Sequence, residues 1–233
     1  MHCVVNKWEF RSALIACQPF IGERHGIDSI AAYLVGDRMY VQAYDGKAAG
    51  LVKMWASVTE STGSPIDDCV RLTKQEVKKA LAVFTSDKTD PLDAKLAISS
   101  EGRQMKFQET GGLMNGKKLT LPIGFASREI ANVPELVNPA VLNRVPKRMT
   151  VDSALLSKFS AAAKMFGELT IEPPRRAELL VVSCGREFRG VVEIEDEEKD
   201  EGRLRRQLEA AETDWGLQLP TAVQLLQPSE PTA

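Results

Sequence analysis

Apolar positions along this chain switch between two spacings in a recurring order. Across residues 8–20, Phe10, Leu14 and Cys17 fall on one helical face, and Pro19 and Gly22 mark where the helix stops. The spacing then drops to two. Ser29–Val35, Arg38–Tyr44 and residues 47–56 read as strands, separated by the turn signals Gly36-Asp37 and Asp45-Gly46. Residues 58–65 are polar and read as a loop.

The same order returns twice. Residues 68–72 form a short strand pattern, and Thr73 with Glu76 makes a capping box for a helix over 74–84, with Val77, Leu81 and Phe84 inward. Strand patterns at 94–99, Gln104–Thr110 and 117–123 follow, broken at Gly102 and Asn115-Gly116. Pro134, Pro139 and Pro146 interrupt the next segment. After it come a short strand at 149–151, a cap at Asp152 or Ser153, and a helix over 154–166 that turns Leu155, Leu156, Phe159 and Phe166 inward. Strands at 168–172, 178–183 and 187–195 complete a third unit. A helix followed by three strands, repeated three times, predicts an α+β fold whose helices cover one face of antiparallel sheets. Residues 197–233 change character, opening with a charge run and an exposed helix pattern and ending in a proline-bearing flexible tail.

Composition narrows the function. A hydrophobic share of 43% is enough for a real core, and no apolar run reaches the roughly 18–20 residues that span a bilayer. The first ten residues lack the layout of a signal peptide, so the expected location is cytoplasmic. Cys3, Cys17, Cys69 and Cys184 are scattered, and His2 and His25 complete no zinc spacing, so the cysteines read as small buried hydrophobes. No phosphate-binding glycine loop, metalloprotease helix or nucleophile elbow is present. The acidic residues of 87–90 precede Pro91 and read as a turn, and those of 193–201 read as a solvated run. The expectation is a protein without catalytic residues, metal or cofactor.

Two stretches carry a family resemblance. Met39-Tyr-Val-Gln-Ala-Tyr-Asp-Gly46 is similar to the strand of DNA sliding clamps that runs into an A-T-D-G turn, with Tyr44 in place of Thr. Lys118-Leu-Thr-Leu-Pro-Ile-Gly124 followed by Asn132-Val-Pro-Glu-Leu136 resembles the last strand of a clamp domain and its connector. The order of units over about residues 1–196 resembles a reduced, phage-encoded form of the bacterial β type, whose domains pair two such half-units. Cys184–Ile194 resembles the family's final strand but lacks its V-M-P-M ending, with Glu193 in place of a proline. The resemblance implies a clamp domain at 1–125, a shorter one at 126–196, and a homo-oligomeric ring around duplex DNA. It also implies a DNA polymerase and a clamp-loader ATPase as partners. A dozen half-units close the family's rings, so three per chain would make a tetramer or an open form, and four a trimer.

On that resemblance the phosphate-facing side chains are Arg11, Lys74, Lys78, Lys79, Lys158 and Lys164 on the helices, with Arg24, Lys147 and Arg148 at helix ends. Glu9, Glu76 and Glu168 oppose that assignment. Val192 and Ile194 are the residues that would line a partner-peptide pocket. In the tail, Gln218-Leu219-Pro220 and Gln224-Leu225-Leu226 loosely resemble clamp-binding peptides. Two other readings stay open: a clamp-derived interaction protein that forms no ring, and an unrelated α+β enzyme.

Overall fold

Each unit begins with a strand, including one at the N-terminus that the helix-first pattern left out. β1 (His2–Asn6) turns Cys3 and Val5 inward. Asn6 ends it by capping α1 (Lys7–Cys17), its Oδ1 accepting from the amides of Trp8 and Glu9 at 2.8 and 3.1 Å. A 3-10 turn over Gln18–Phe20 leads to β2 (Ser29–Val35), β3 (Arg38–Tyr44) and β4 (Ala48–Glu60). The second unit is β5 (Cys69–Thr73), α2 (Lys74–Val83), β6 (Lys95–Glu101), β7 (Gln104–Thr110) and β8 (Lys118–Pro122). The third is β9 (Met149–Thr150), α3 (Ser153–Ser157), α4 (Ser160–Phe166), β10 (Leu169–Arg176), β11 (Leu179–Cys184) and β12 (Phe188–Glu193), closed by β13 (Glu195–Asp196) against β9. This computed structural model describes residues 1–24, 26–63, 69–85, 94–101, 104–110, 116–123, 133, 149–176 and 179–196. His25, the acidic residues of 87–90, Lys147, Arg148 and the tail from 197 lie outside the described residues.

The capping box is in place: the Thr73 hydroxyl accepts from the Glu76 amide, and the Glu76 carboxylate accepts from the Thr73 amide at 2.8 Å. Two expected boundaries move. β4 runs on to Glu60 because residues 56–60 pair with β1, so a tertiary partner overrides a polar sequence. The helix expected over 154–166 divides at Lys158 and Phe159, whose amides bond three residues back to Leu155 and Leu156. That tight turn re-aims the second half and drives Phe159 to full burial.

The first two units exchange their leading strands. β1 lies against β6 of the second unit, and β5 lies against β2 of the first, all antiparallel. β4 is shared: one edge carries β3, while the other carries β12 along residues 48–52 and β1 along 56–60. The resulting curled sheet of eleven strands runs β10-β11-β12-β4-β1-β6-β7-β8, with β2, β3 and β5 branching from β4. α1, α2 and α4 pack on one face, over the main core. On the opposite face Ala49, Leu51, Val181 and Val191 form a smaller cluster with the buried Val133.

Aromatic rings mark both junctions between units. Phe10 and Phe84 flank Phe107 where the first and second units meet, with centroids 6.0 and 6.3 Å away. Phe20, Phe159 and Phe188 meet at 5.0–6.2 Å where the first and third units meet. Two glycines paired across β4 and β12, Gly50 and Gly190, make room for them. A Cβ on Gly50 would sit 2.8 Å from Phe20, and one on Gly190 2.5 Å from both Phe159 and the Ala49 carbonyl.

Candidate functional site

α1 lies between α2 and α4, so the helices form a row on the face away from the Val133 cluster. α1 and α2 present a polar side outward because their apolar residues are committed to the core, Phe10, Ala13, Leu14 and Cys17 from α1 and Val77 and Ala80 from α2, while α4 buries Ala162 and leaves both Lys164 and Met165 exposed. Among the predicted contacts, Lys74, Lys78 and Lys79 on α2 and Lys164 on α4 are exposed. Lys74 and Lys78 stand one turn apart and project together. Arg24 is exposed in the loop before β2.

Two predicted contacts already have protein partners. Arg11 is half-buried, and its Nη1 donates to the carbonyls of Leu81 and Phe84 at 2.7 and 3.1 Å. It thereby ties α1 to the C-terminal end of α2, where carbonyls lack helical donors. Lys158 pairs with the Asp45 carboxylate at the β3–β4 turn. Asp45 also accepts from the Lys47 and Ala48 amides at 2.9 and 2.8 Å, while Gly46 beside it takes the positive φ of 103° that the turn requires. Burial alone would raise the Asp45 carboxyl, but the Lys158 and backbone hydrogen bonds and the Lys158 charge hold it below its ordinary value.

The acidic residues divide likewise. Glu76 is engaged in its capping box and Glu168 is exposed beyond α4. Glu9 is exposed near the start of α1, and partial burial together with the Glu187 carboxylate raises its carboxyl above the ordinary range. Val192 and Ile194, the expected pocket residues, are fully and almost fully buried in the main core, with no side chain open to a partner.

A recess of about 800 Å³ beside the sheet was not legible as a site. It is lined by His2, Val4, Glu9, Trp55, Lys95 and neighbouring residues. Trp55 is 59% exposed and stacks under the Arg38 guanidinium, 3.1 Å from ring centroid to Cζ. The outward alternation of Lys53, Trp55 and Ser57 on β4 was the available signal. Among the described residues, no three potential metal-binding side chains converge.

By sequence the chain matches no family pattern and no curated protein. By architecture it is similar to several bacterial proteins. A putative DNA polymerase III beta subunit from Eubacterium rectale shares 9% identity over 84% of this chain and 64% of its own, with a TM-score of 0.54. The DNA polymerase III beta subunit from Thermotoga maritima also shares 9%, over 85% of this chain and 67% of its own, at 0.54. A DNA polymerase sliding clamp from Caulobacter crescentus shares 10%, over 83% and 65%, at 0.50. This chain therefore spans about two thirds of their length. With its curled antiparallel sheet and few helices, this chain has the α+β fold of the bacterial β-type DNA sliding clamps.

Proposed function

We propose that the chain is a non-catalytic processivity clamp that assembles with itself and tracks duplex DNA, working in the cytoplasm with a DNA polymerase and a loader ATPase. In this reading residues 1–125 form one clamp domain of two half-units, and 126–196 a shorter second one. The observation that carries it is the row of helices with Lys74, Lys78, Lys79 and Lys164 exposed on it. Ammonium groups on a stiff surface attract phosphates without reading bases, which permits sliding. The overall charge of −2 does not oppose this, because the relevant field is that of one face. No helix among the described residues is long and apolar enough to cross a membrane.

Retention on DNA tests the proposal. A tracking clamp stays longer on closed circular DNA than on linear DNA, and its binding weakens steeply with salt. Equal retention on both forms, with weak salt dependence, would favour a clamp-derived interaction protein that forms no ring.

A further inference from the structure

Among the described residues, the third unit has no sibling of the kind the first two units are to each other. In the first two units, the strand that follows the helix takes a fifth strand from its sibling: β2 receives β5 along Ser29–Tyr33, and β6 receives β1 along Lys95–Ser99. β10 holds the same place in the third unit, and among the described residues only β11 pairs with it. Its first four residues, Leu169, Thr170, Ile171 and Glu172, correspond to the stretch that receives the extra strand. Pro173 and Pro174 come immediately after, so the loss of two amide donors falls beyond the segment that would be paired.

The apolar surface tells the same story. Leu169 stands opposite Cys184, and Ile171 opposite Val182, both of which point into the main core, so Leu169 and Ile171 share that helix-side face. The equivalent residues of the finished units, Ile30 and Ala32 on β2 and Leu96 and Ile98 on β6, are at most 1% exposed. Leu169 and Ile171 are 37% and 48% exposed, and Met165 on the adjoining α4 is 40% exposed. Only Val35 and Trp55 are comparable large exposed hydrophobics among the described residues. What is uncovered is therefore the place of a sibling strand and a sibling helix.

The first two units have already paired with each other. The third unit offers an acceptor edge on β10 and a leading strand, β9, paired only with β13. Because the exchange in this fold is reciprocal, a unit that both gives and accepts is completed by its own copy across a two-fold axis. We propose that the third units of two chains join in this way, β9 of each entering beside β10 of the other, to build one composite domain from two chains. This deepens the self-assembly in the reading above and rests on that reading only for what the assembly does.

Light scattering or sedimentation of the full chain at tens of micromolar, without DNA, tests it. The wild type is expected at an even-numbered mass. Ile171→Lys is expected to halve that mass with an unchanged circular dichroism spectrum, and Val35→Lys is expected to leave the mass alone. A monomeric wild type, an odd-numbered assembly, or an Ile171→Lys protein of wild-type mass would each overturn it. Amide exchange of the wild type keeps the proposal testable if the variant does not fold. The outward amides of Leu169–Ile171 are expected to be protected in concentrated protein and to lose protection on dilution, while Ser29–Tyr33 stays protected. Free exchange in the concentrated assembly would sink the idea. Since no DNA is present, this outcome is separate from the fate of the tracking function.

Discussion

Lys158 and Asp45 are 113 residues apart in sequence and form an ion pair that fastens the helical turn of the third unit onto the β3–β4 hairpin of the first. The carboxylate is mostly enclosed, with 11% of the Asp45 side chain exposed against 25% of Lys158. Asp45→Ala removes the ion pair and the oxygen that accepts from two turn amides, and is expected to cost about 1–3 kcal/mol in urea unfolding at neutral pH. Asp45→Asn keeps an acceptor for those amides and is expected to cost about 1 kcal/mol. The sign with pH follows from the lowered carboxyl. Its stabilisation is complete above the unfolded carboxyl value of about 4 and disappears as pH falls through the lower folded value. The stability gap between wild type and Asp45→Asn should therefore close in acid, and a gap unchanged at pH ~3 would refute this account.

Gly190→Ala is expected to loosen the junction of the first and third units. Its new methyl meets a backbone carbonyl at 2.5 Å, so the backbone itself has to shift. Overpacking of this kind costs about 1–3 kcal/mol. Gly50→Ala presses instead on the Phe20 ring, 2.8 Å away, and is expected to cost less if that side chain can turn. Thermal unfolding of the two variants beside the wild type gives the order.

Removing lysines one at a time separates attraction for phosphate from folding. Lys78→Ala and Lys79→Ala are each expected to lower the slope of log affinity against log salt by about 1, with little change in stability. Arg11→Ala is expected to do the reverse, because its guanidinium holds the end of α2. Fluorescence titrations with duplex DNA at several salt concentrations, paired with melting curves, distinguish the two classes.

The thiols should stay silent in the native protein. Burial raises the Cys17 thiol, and Cys69 is pushed up to about 11, chiefly by burial, with Arg71 working the other way. Cys3 and Cys184 are also buried. A thiol reagent at pH ~8 is expected to label buried Cys3, Cys17 and Cys184 only at the rate of unfolding, and half-buried Cys69 slowly, since the thiolate is the reactive form. Rapid labelling of Cys69 without denaturant would contradict its surroundings.

The strands of the first unit were legible because Asp45-Gly46 and Gly36-Asp37 are strong local turn signals bounding clear alternation. The α2 boundary was legible through Thr73 and Glu76, whose hydrogen bonds are local. β1 could have been found from the alternation of Cys3 and Val5 and the capping residue Asn6, but five residues carry little periodic signal. The break at Phe159 was hidden because its cause lies in Phe20, Phe188 and Asp45, far away in sequence. For the candidate site, Lys74, Lys78, Lys79 and Lys164 kept the exposure that helix phase implied. Arg11 and Lys158 share that phase, but tertiary partners claim them, and no one-dimensional pattern records such partners.

The forked strand β4 also has a consequence for the newborn chain. Its residues 48–52 leave the ribosome long before β12 at 188–192, the strand that covers their edge, has been made. Until then Ala48, Ala49, Leu51 and Val52 flank an open row of amides and carbonyls, which invites pairing with the wrong neighbour. Synthesis halted between the second and third units should leave a sticky fragment, and closing so distant a contact should make the last step of folding slow.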